Sequence, residues 1–433
     1  MTTTTIMPKR ERMSGSRPVR SLNGVGRRLV LALLKKLRYG RLTVSDLRME
    51  ETFGRDVDGF AVSAAIRVHR DDFYRFCAFG GSIGAAESYM LGHWTADDLT
   101  AVMRIIVRNQ QVFGEMDQGW TMLSRPVNQA FHLMRRNTPT GSRENIMAHY
   151  DLGNDFYRLF LDETMTYSCG IFETPESTLE AAAIAKYDRL CRKLDLNPGD
   201  HVLEIGTGWG GFALHAARTY GCEITTTTIS RQQYAYAREK IRSAGLSRRI
   251  HLLKSDYREL TGQYDKLVSI EMIEAVGHQY YNDFFRTCAR RLKDDGLMAL
   301  QAITIADDAF ERHKNDVDFI KRYIFPGSCL PSVSALLSAM STASDLHLFH
   351  LEDITPHYAT TLRMWRERFF DKIDQVRELG YSDAFIRMWD YYLSYCEGGF
   401  LERYIGDVQM VFAKPLNRRE PILAGIQGPQ GSR

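Results

Sequence analysis

The chain is 433 residues long, 44% hydrophobic and 25% charged, the composition of an ordinary folded soluble protein with room for about two domains. No apolar run approaches the roughly 20 residues that span a bilayer, and the N-terminus lacks an uninterrupted apolar segment with a cleavage site, so neither a membrane span nor an export signal is expected. The formal net charge of +3 hides an asymmetry: residues 1–41 hold eleven Lys and Arg against one acid, Glu11, and the remainder is mildly acidic.

Residues 1–38 read as a basic, partly disordered tail with an amphipathic helix. Thr, Ser, Gly and Arg dominate residues 1–25. From Arg27 to Tyr39, Val30, Leu33, Leu34 and Leu37 share one helical face, with Arg28, Lys35 and Arg38 turned away. That face suits either an anionic membrane surface or the helix's own domain. Residues 39–115 form a small α+β unit. Leu42–Val44 and Ala61–Val68 read as strands, Asp71–Phe76 and Leu99–Arg108 as helices, and Gly80–Gly84 as a loop. Nothing in this unit looks catalytic, and a lipid-binding or scaffolding role fits it better. Residues 116–142, punctuated by Pro126, Pro139 and Gly141, read as a linker. The second domain spans 143–433. Seven scattered cysteines without a CxxC pair read as reduced thiols of a cytosolic protein, and no metal is expected.

Within the second domain strands and helices alternate. Strands are expected at His201–Ile205, Cys222–Ile229, Ile250–Lys254, Lys266–Glu271, Leu297–Ile303, His347–Ile354 and Val408–Ala413. Helices fill the gaps after the first five, with helical insertions at about 306–345 and 361–405. The first strand runs into Gly206-Thr207-Gly208-Trp209-Gly210-Gly211 and then a helical pattern. Glycines let the backbone approach a ligand, and a helix N-terminus supplies free N–H groups. Glu204, just before the turn, is placed to accept from a ribose hydroxyl or a cationic amino group. A dehydrogenase would share the turn but would close its second strand with an acid. Here that strand ends in Thr225-Thr226-Thr227-Thr228-Ile229-Ser230.

Several further segments point the same way. They are His149-Tyr150-Asp151-Leu152-Gly153-Asn154-Asp155-Phe156-Tyr157, Met165–Gly170, Glu271-Met272-Ile273-Glu274-Ala275-Val276-Gly277, Tyr323–Ser332 and His357–Leu362. Together with the glycine turn they closely resemble the cyclopropane-fatty-acyl-phospholipid synthases and the related mycolic-acid and fatty-acyl methyltransferases. The resemblance is strong over roughly 143–413. It implies the class I methyltransferase fold, a seven-stranded doubly wound sheet with a helical insertion, and S-adenosylmethionine over the carboxyl ends of the first strands. The N-terminal unit, with Glu87-Ser88-Tyr89-Met90, is similar to that family's lipid-binding domain.

By the same resemblance, Tyr167, Ser168, Gly206, Gly208 and Trp209 contact the cofactor. Thr228, Ser230 and Gln233 hold ribose or adenine, and Tyr257 with Arg258 flanks the adenine. Cys169, Glu274, Gln301, Ile303 and Tyr358 build a pocket for a bound bicarbonate that takes the proton after methyl transfer to an alkene. One departure stands out: typical cyclopropane synthases carry His at the position of Gln301. Glutamine can orient an anion but cannot share a proton. Leu300–Thr304 resembles a subgroup that includes enzymes making methylene- or methyl-branched acids. Trp365 and Phe369, and Trp389, Leu393 and Cys396, form stripes that read first as core and second as an acyl wall.

The expected protein is an enzyme at the inner membrane face, acting as a homodimer on an unsaturated phospholipid and docking on anionic lipid. Nucleic acid is not an expected partner. Two other readings remain open: a methyltransferase for a soluble small molecule, and a non-catalytic lipid-binding protein on the same fold.

Overall fold

The computed structural model describes residues 17–113 and 152–422. The chain divides into two units, Met1–Ser124 and Arg125–Arg433. The expected linker at 116–142, the start of the second domain at Arg143 and the segment His149–Asp151 lie outside the described residues, as do most of the expected disordered positions.

In the first unit, α1 (Arg17–Leu34) precedes a sheet of β1 (Gly40–Ser45), β2 (Glu50–Arg55), β3 (Ser63–Val68) and β4 (Trp94–Ala96), in the order β2-β1-β3-β4. Helices α2 (Asp72–Met90) and α3 (Leu99–Arg108) complete it. The apolar face of α1 is used inside the unit. Val30 and Leu34, with Leu37 beyond the helix, are buried, and α1 packs on α2. A Cβ at Gly26 would stand 2.8 Å from the Tyr74 carbonyl oxygen, which shows how closely the two helices approach. Arg27 donates to Asp46 at 3.0 Å and lies over the Tyr74 ring. The membrane reading of that apolar face is therefore corrected: its hydrophobic area is already covered by α2.

The Gly80–Gly84 loop is also corrected. This stretch lies within α2, which breaks only at Gly81 (φ 57°, ψ −142°), a conformation open to glycine. Strands β2 and β4 were not anticipated. β2 buries only Phe53 and β4 only Trp94, so neither shows a full apolar alternation.

The second unit is a three-layer α/β/α fold. After α4 (Asn154–Arg158) and α5 (Leu179–Leu194) come β5 (His201–Ile205), α6 (Gly211–Thr219), β6 (Glu223–Thr227), α7 (Arg231–Ser243), β7 (Ile250–Leu253) and β8 (Tyr264–Ile270). These are followed by α8 (Tyr281–Arg291), β9 (Leu292–Ile305), α9 (Asp307–Asn315), α10 (Val333–Ala343), β10 (His347–Asp353), α11 (Thr355–Asp371), α12 (Ile373–Glu378), α13 (Asp383–Leu401) and β11 (Ile405–Ala413). The sheet order is β10-β11-β9-β8-β5-β6-β7, with β11 antiparallel to both neighbours. All seven expected strands are present. The expected helix after the third strand is replaced by a short 3-10 turn, Tyr257–Glu259, where Asp256 caps the chain by accepting from the Arg258 N–H.

Side-chain alternation along the central strands fixes both faces of the sheet. Leu203, Ile205, Met298, Leu300, Met410 and Phe412 point to the side covered by α8 and α10. Val202, Leu297, Ala299 and Val411 point to the side of α5 and α6. By the same period of two, Gln301 and Ile303 on β9 and Asp407 and Gln409 on β11 join the α5 side. Register sets them directly opposite, Gln301 against Gln409 and Ile303 against Asp407. Because β11 runs antiparallel, its first residues reach the edge where β5, β8 and β9 end, so polar groups from three strands meet there.

The helices α11 and α13 pack around Phe156. Its ring meets Phe160, Phe369, Tyr381, Phe385 and Trp389 at centroid distances of 4.8–6.2 Å. Trp365, Phe369, Trp389 and Leu393 are buried in this packing, so the stripes are core. Phe156→Ala is expected to destabilise the second unit by about 3–5 kcal/mol, read as a lower denaturant midpoint. A loss below about 1 kcal/mol would show that this ring cluster does not hold the helices.

Candidate active site

The first strand ends in a tight turn. The N–H groups of Gly206 and Thr207 both donate to the Thr227 carbonyl, at 3.2 and 3.0 Å. Gly206 has φ 98° and Gly208 φ 52°, and a Cβ at Gly208 would meet nothing within 4 Å. The turn therefore leaves open space in front of the α6 N-terminus, whose first N–H groups lack intrahelical partners. A nucleoside with a charged amino-acid tail fits such a cradle. Trp209 is buried and its indole N–H donates to Asn154 at 2.8 Å, tying the turn to α4.

The expected ribose and adenine groups lie at the neighbouring strand ends. Ser230 caps α7 by accepting from the Gln233 N–H, and the Thr228 hydroxyl donates to the Gln233 side-chain oxygen at 2.8 Å. Glu204 points into the α5 side of the sheet, where the Thr226 hydroxyl donates to it at 2.5 Å and burial pushes its carboxyl up to about 7. Tyr257 is buried against Phe284, and its hydroxyl has no hydrogen-bond partner. Arg258 forms a two-pronged contact with Asp256. Sequence reasoning passed over Asp256, whose signal was an acid three residues past the end of the third strand.

The second half of the site gathers around a residue that sequence reasoning quoted but assigned no role. Glu271 directly follows β8 with φ 47°, a left-handed backbone that costs a non-glycine residue about 1–2 kcal/mol. Its N–H donates to the Gln301 carbonyl, and its carboxylate collects three donors. The Cys169 N–H reaches Oε1 at 2.9 Å, the Gln301 amide reaches Oε1 at 2.7 Å, and the Tyr358 hydroxyl reaches Oε2 at 2.6 Å. Three of the five expected pocket residues thus converge on one carboxylate. The other two form a separate pair beside it: Glu274 Oε1 accepts from the Ile303 N–H at 2.5 Å, and its buried Oε2 has no hydrogen-bond partner.

Behind Glu271 lies a buried relay. Lys193 donates to Gln409 Oε1 at 2.8 Å, Gln409 donates to Gln301 Oε1 at 3.0 Å, and Gln301 donates on to Glu271 and, at 3.1 Å, to Asp407. This direction fixes the Gln301 amide, because Lys193 has no acceptor capacity and so must find an oxygen on Gln409. Gln301, Gln409 and Asp407 are wholly buried, whereas Glu271 is half-buried and forms the front of the network.

The charges sort themselves by environment. Burial and then Glu271 hold the Asp407 carboxyl well above the ordinary range. Burial and then Glu271 push Glu274 up to about 8. Burial lowers the ammonium of Lys186 on α5, and Glu271 is the foremost group opposing that. Lys186 is fully buried and donates to the Ser168 hydroxyl at 2.6 Å. Burial, then Asp407 and Glu271, push the Cys169 thiol well up. Cys169 therefore serves through its backbone N–H and not as a thiolate.

A row of rings joins the two halves. Trp209 meets Tyr157 at 5.1 Å, Tyr157 meets Tyr167 at 5.3 Å, and Tyr167 stacks on Trp365 at 5.2 Å. Trp365 meets Tyr358 edge-on at 6.4 Å, and Tyr358 stacks on Phe400 at 4.3 Å. An aromatic wall thus runs from the glycine turn to the Glu271 carboxylate.

The sequence profile of the mycolic acid cyclopropane synthetase family matches residues 137–410. The chain belongs to this family. It is 38% identical, over 80% of its length and 84% of the relative's, to the tuberculostearic acid methyltransferase UfaA1 of Mycobacterium tuberculosis. It is 37% identical to the cyclopropane-fatty-acyl-phospholipid synthase of Escherichia coli K12, over 81% of its own length and 88% of the relative's. Among solved structures, mycolic acid cyclopropane synthase CmaA1 complexed with SAH and CTAB superposes with a TM-score of 0.59 at 32% identity, covering 63% of this chain and 98% of that one. The chain is a class I methyltransferase, an S-adenosylmethionine-dependent enzyme of the cyclopropane-fatty-acyl-phospholipid synthase type.

Two outcomes follow from the site's geometry. Gly206→Ala forces a side chain onto a backbone at φ 98°, and affinity for S-adenosylhomocysteine, measured by calorimetry, is expected to fall about tenfold, the equivalent of roughly 1.4 kcal/mol. An unchanged affinity would mean that the turn does not touch the nucleoside. Glu274 ionises near 4.5 when unfolded and at about 8 when folded. Between those values the folded state holds a proton that the unfolded state has lost, so stability falls as pH rises. Glu274→Gln should flatten the stability profile across that window, and equal slopes for both proteins would contradict the burial of this acid.

Proposed function

We propose that this enzyme transfers a methyl group from S-adenosylmethionine to the double bond of an unsaturated acyl chain in membrane phospholipid, giving a cyclopropane fatty acid. The carrying observation is the aromatic wall that ends at the Glu271 network beside the glycine turn. An alkene is a weak nucleophile, and its alkylation leaves a cation on the acyl chain. Aromatic rings beside the Glu271 network, Tyr167 and Tyr358 among them, favour such a cation by cation–π attraction, and a dry site strengthens each charge contact. S-adenosylmethionine, when bound, supplies the electrophilic methyl on a sulfonium. The glycine turn and α6 N-terminus orient its amino-acid tail, and Tyr167 and Ser168 border the face where the alkene enters. The relatives, a cyclopropane-fatty-acyl-phospholipid synthase and a tuberculostearic acid methyltransferase, support an acyl substrate.

One observation favours a second reading of the product. Gln301 replaces an ionisable group with an amide held in a fixed orientation by Gln409. A 1,2-hydride shift that moves the cation onto the methyl-bearing carbon, followed by loss of a proton from the added methyl, leaves a methylene branch and no ring.

Membrane docking belongs to the same proposal. No helix among the described residues is long and apolar enough to cross a membrane. The outer face of the first unit exposes Arg28, Lys35 and Arg38, and such cations each contribute about 1 kcal/mol at an anionic surface. This exposed charge supports a location at the inner membrane face, and the family resemblance alone supports a homodimer.

The test is incubation of the pure protein with labelled S-adenosylmethionine and monounsaturated phospholipid vesicles, followed by proton NMR of the lipids. Label in the fatty acids with far-upfield ring protons is expected, and vinylic protons downfield identify the methylene product instead. No label in lipid while S-adenosylhomocysteine binds, together with failure to float with anionic vesicles, would leave a soluble small-molecule substrate as the better reading.

A further inference from the structure

The resemblance implies a bound bicarbonate that takes the proton, and the residues assigned to hold it are present. Their donors, however, are already engaged. The Cys169 N–H, the Gln301 amide and the Tyr358 hydroxyl all point at Glu271, at 2.6–2.9 Å. An anion in the same seat would meet no remaining donor among these three, and would face the Glu271 carboxylate with Asp407 and Glu274 close by. The seat built from these residues does not fit a free bicarbonate while Glu271 occupies it.

We propose that the Glu271 carboxylate stands in the anion seat as a built-in proton acceptor, so that this enzyme does its chemistry without bicarbonate. The proposal rests on the acyl-methylation reading above. Glu271 accepts three hydrogen bonds and donates none of them, the pattern of an ionised carboxylate. Glu271 in turn favours the charged form of Lys186, buried on α5. Glu271 is half-buried, so its front faces the site while Gln301 and Asp407 support it from behind. Its left-handed backbone at φ 47° turns the side chain into the seat directly off the end of β8.

The step balances. The alkene π electrons form the bond to the methyl carbon as the carbon–sulfur bond breaks, leaving neutral S-adenosylhomocysteine and a cation on the acyl chain. Glu271 then takes one proton and becomes a neutral acid. The freed C–H electron pair of the added methyl closes the ring, or, when a 1,2-hydride shift has first moved the cation onto the methyl-bearing carbon, forms the methylene double bond.

Two substitutions test this. E271Q keeps the shape and removes the base, whereas E271G empties the seat at a backbone angle where glycine is at home. The wild-type rate on monounsaturated vesicles is expected to be the same, within about twofold, in carbon-dioxide-free buffer and with bicarbonate added. E271Q should bind S-adenosylhomocysteine but lose at least about 100-fold in rate, the scale of a removed general base. E271G should recover turnover as bicarbonate is added, and ¹³C-bicarbonate titrated by NMR should bind E271G and not the wild type. A wild-type rate that collapses without bicarbonate, E271Q activity within tenfold of wild type, bicarbonate bound by the wild type, or none bound by E271G would each overturn the proposal. If the wild type methylates no acyl lipid, the substrate reading fails alone, because the bicarbonate titration still decides what fills the seat.

Discussion

The site depends on one carboxylate that draws together three segments far apart in the chain. Glu271 at the end of β8 receives donors from the loop before α5, from the middle of β9 and from α11. None of these segments is positioned by its neighbours in sequence. Charge-assisted bonds of this kind are roughly twice as strong as neutral ones, and each loses its value if one partner moves. The strain at the Glu271 backbone is held by the surrounding packing, as expected of a residue kept in place for function.

A buried cluster of acids needs a strategy for its charge. Two like charges about 4 Å apart repel by about 4 kcal/mol at an effective dielectric of about 20. Here burial and the Glu271 carboxylate push Asp407 and Glu274 upward, which favours their neutral forms, and Glu271 opposes the loss of charge that burial imposes on Lys186. The Gln301–Gln409–Lys193 relay then fixes the orientation of each amide without adding charge. An imidazole at 301 would bring a titrating proton into this cluster, whereas an amide cannot. The glutamine and the nearby glutamate are therefore parts of one electrostatic arrangement.

The first unit solves a different problem. Its leading helix spends its apolar face on α2 and leaves Arg28, Lys35 and Arg38 outside. Attraction to an anionic surface would then be electrostatic and weakened by salt, with no helix face inserted among the acyl chains.

All seven strands of the catalytic sheet were legible in the sequence, because buried strands bounded by turns leave a strong apolar signature. So was the glycine turn at the end of β5, since its glycines answer a backbone demand local to the turn. Ordered motifs also singled out Cys169, Gln301 and Tyr358, which the fold brings to one carboxylate. What those motifs left open was who meets whom. The fate of the α1 face depended on whether another helix lay within reach, which periodicity does not encode. Glu271 was visible only as the first letter of a motif one turn before Glu274. Its role emerges where β11, running antiparallel, brings Asp407 and Gln409 opposite Ile303 and Gln301 at the edge where β8 ends. Local sequence set the strands and the turn because those obey short-range rules of period and backbone freedom. The carboxylate's partners lie 30 to 102 residues away, and only the packed sheet decides which polar groups share one dry corner.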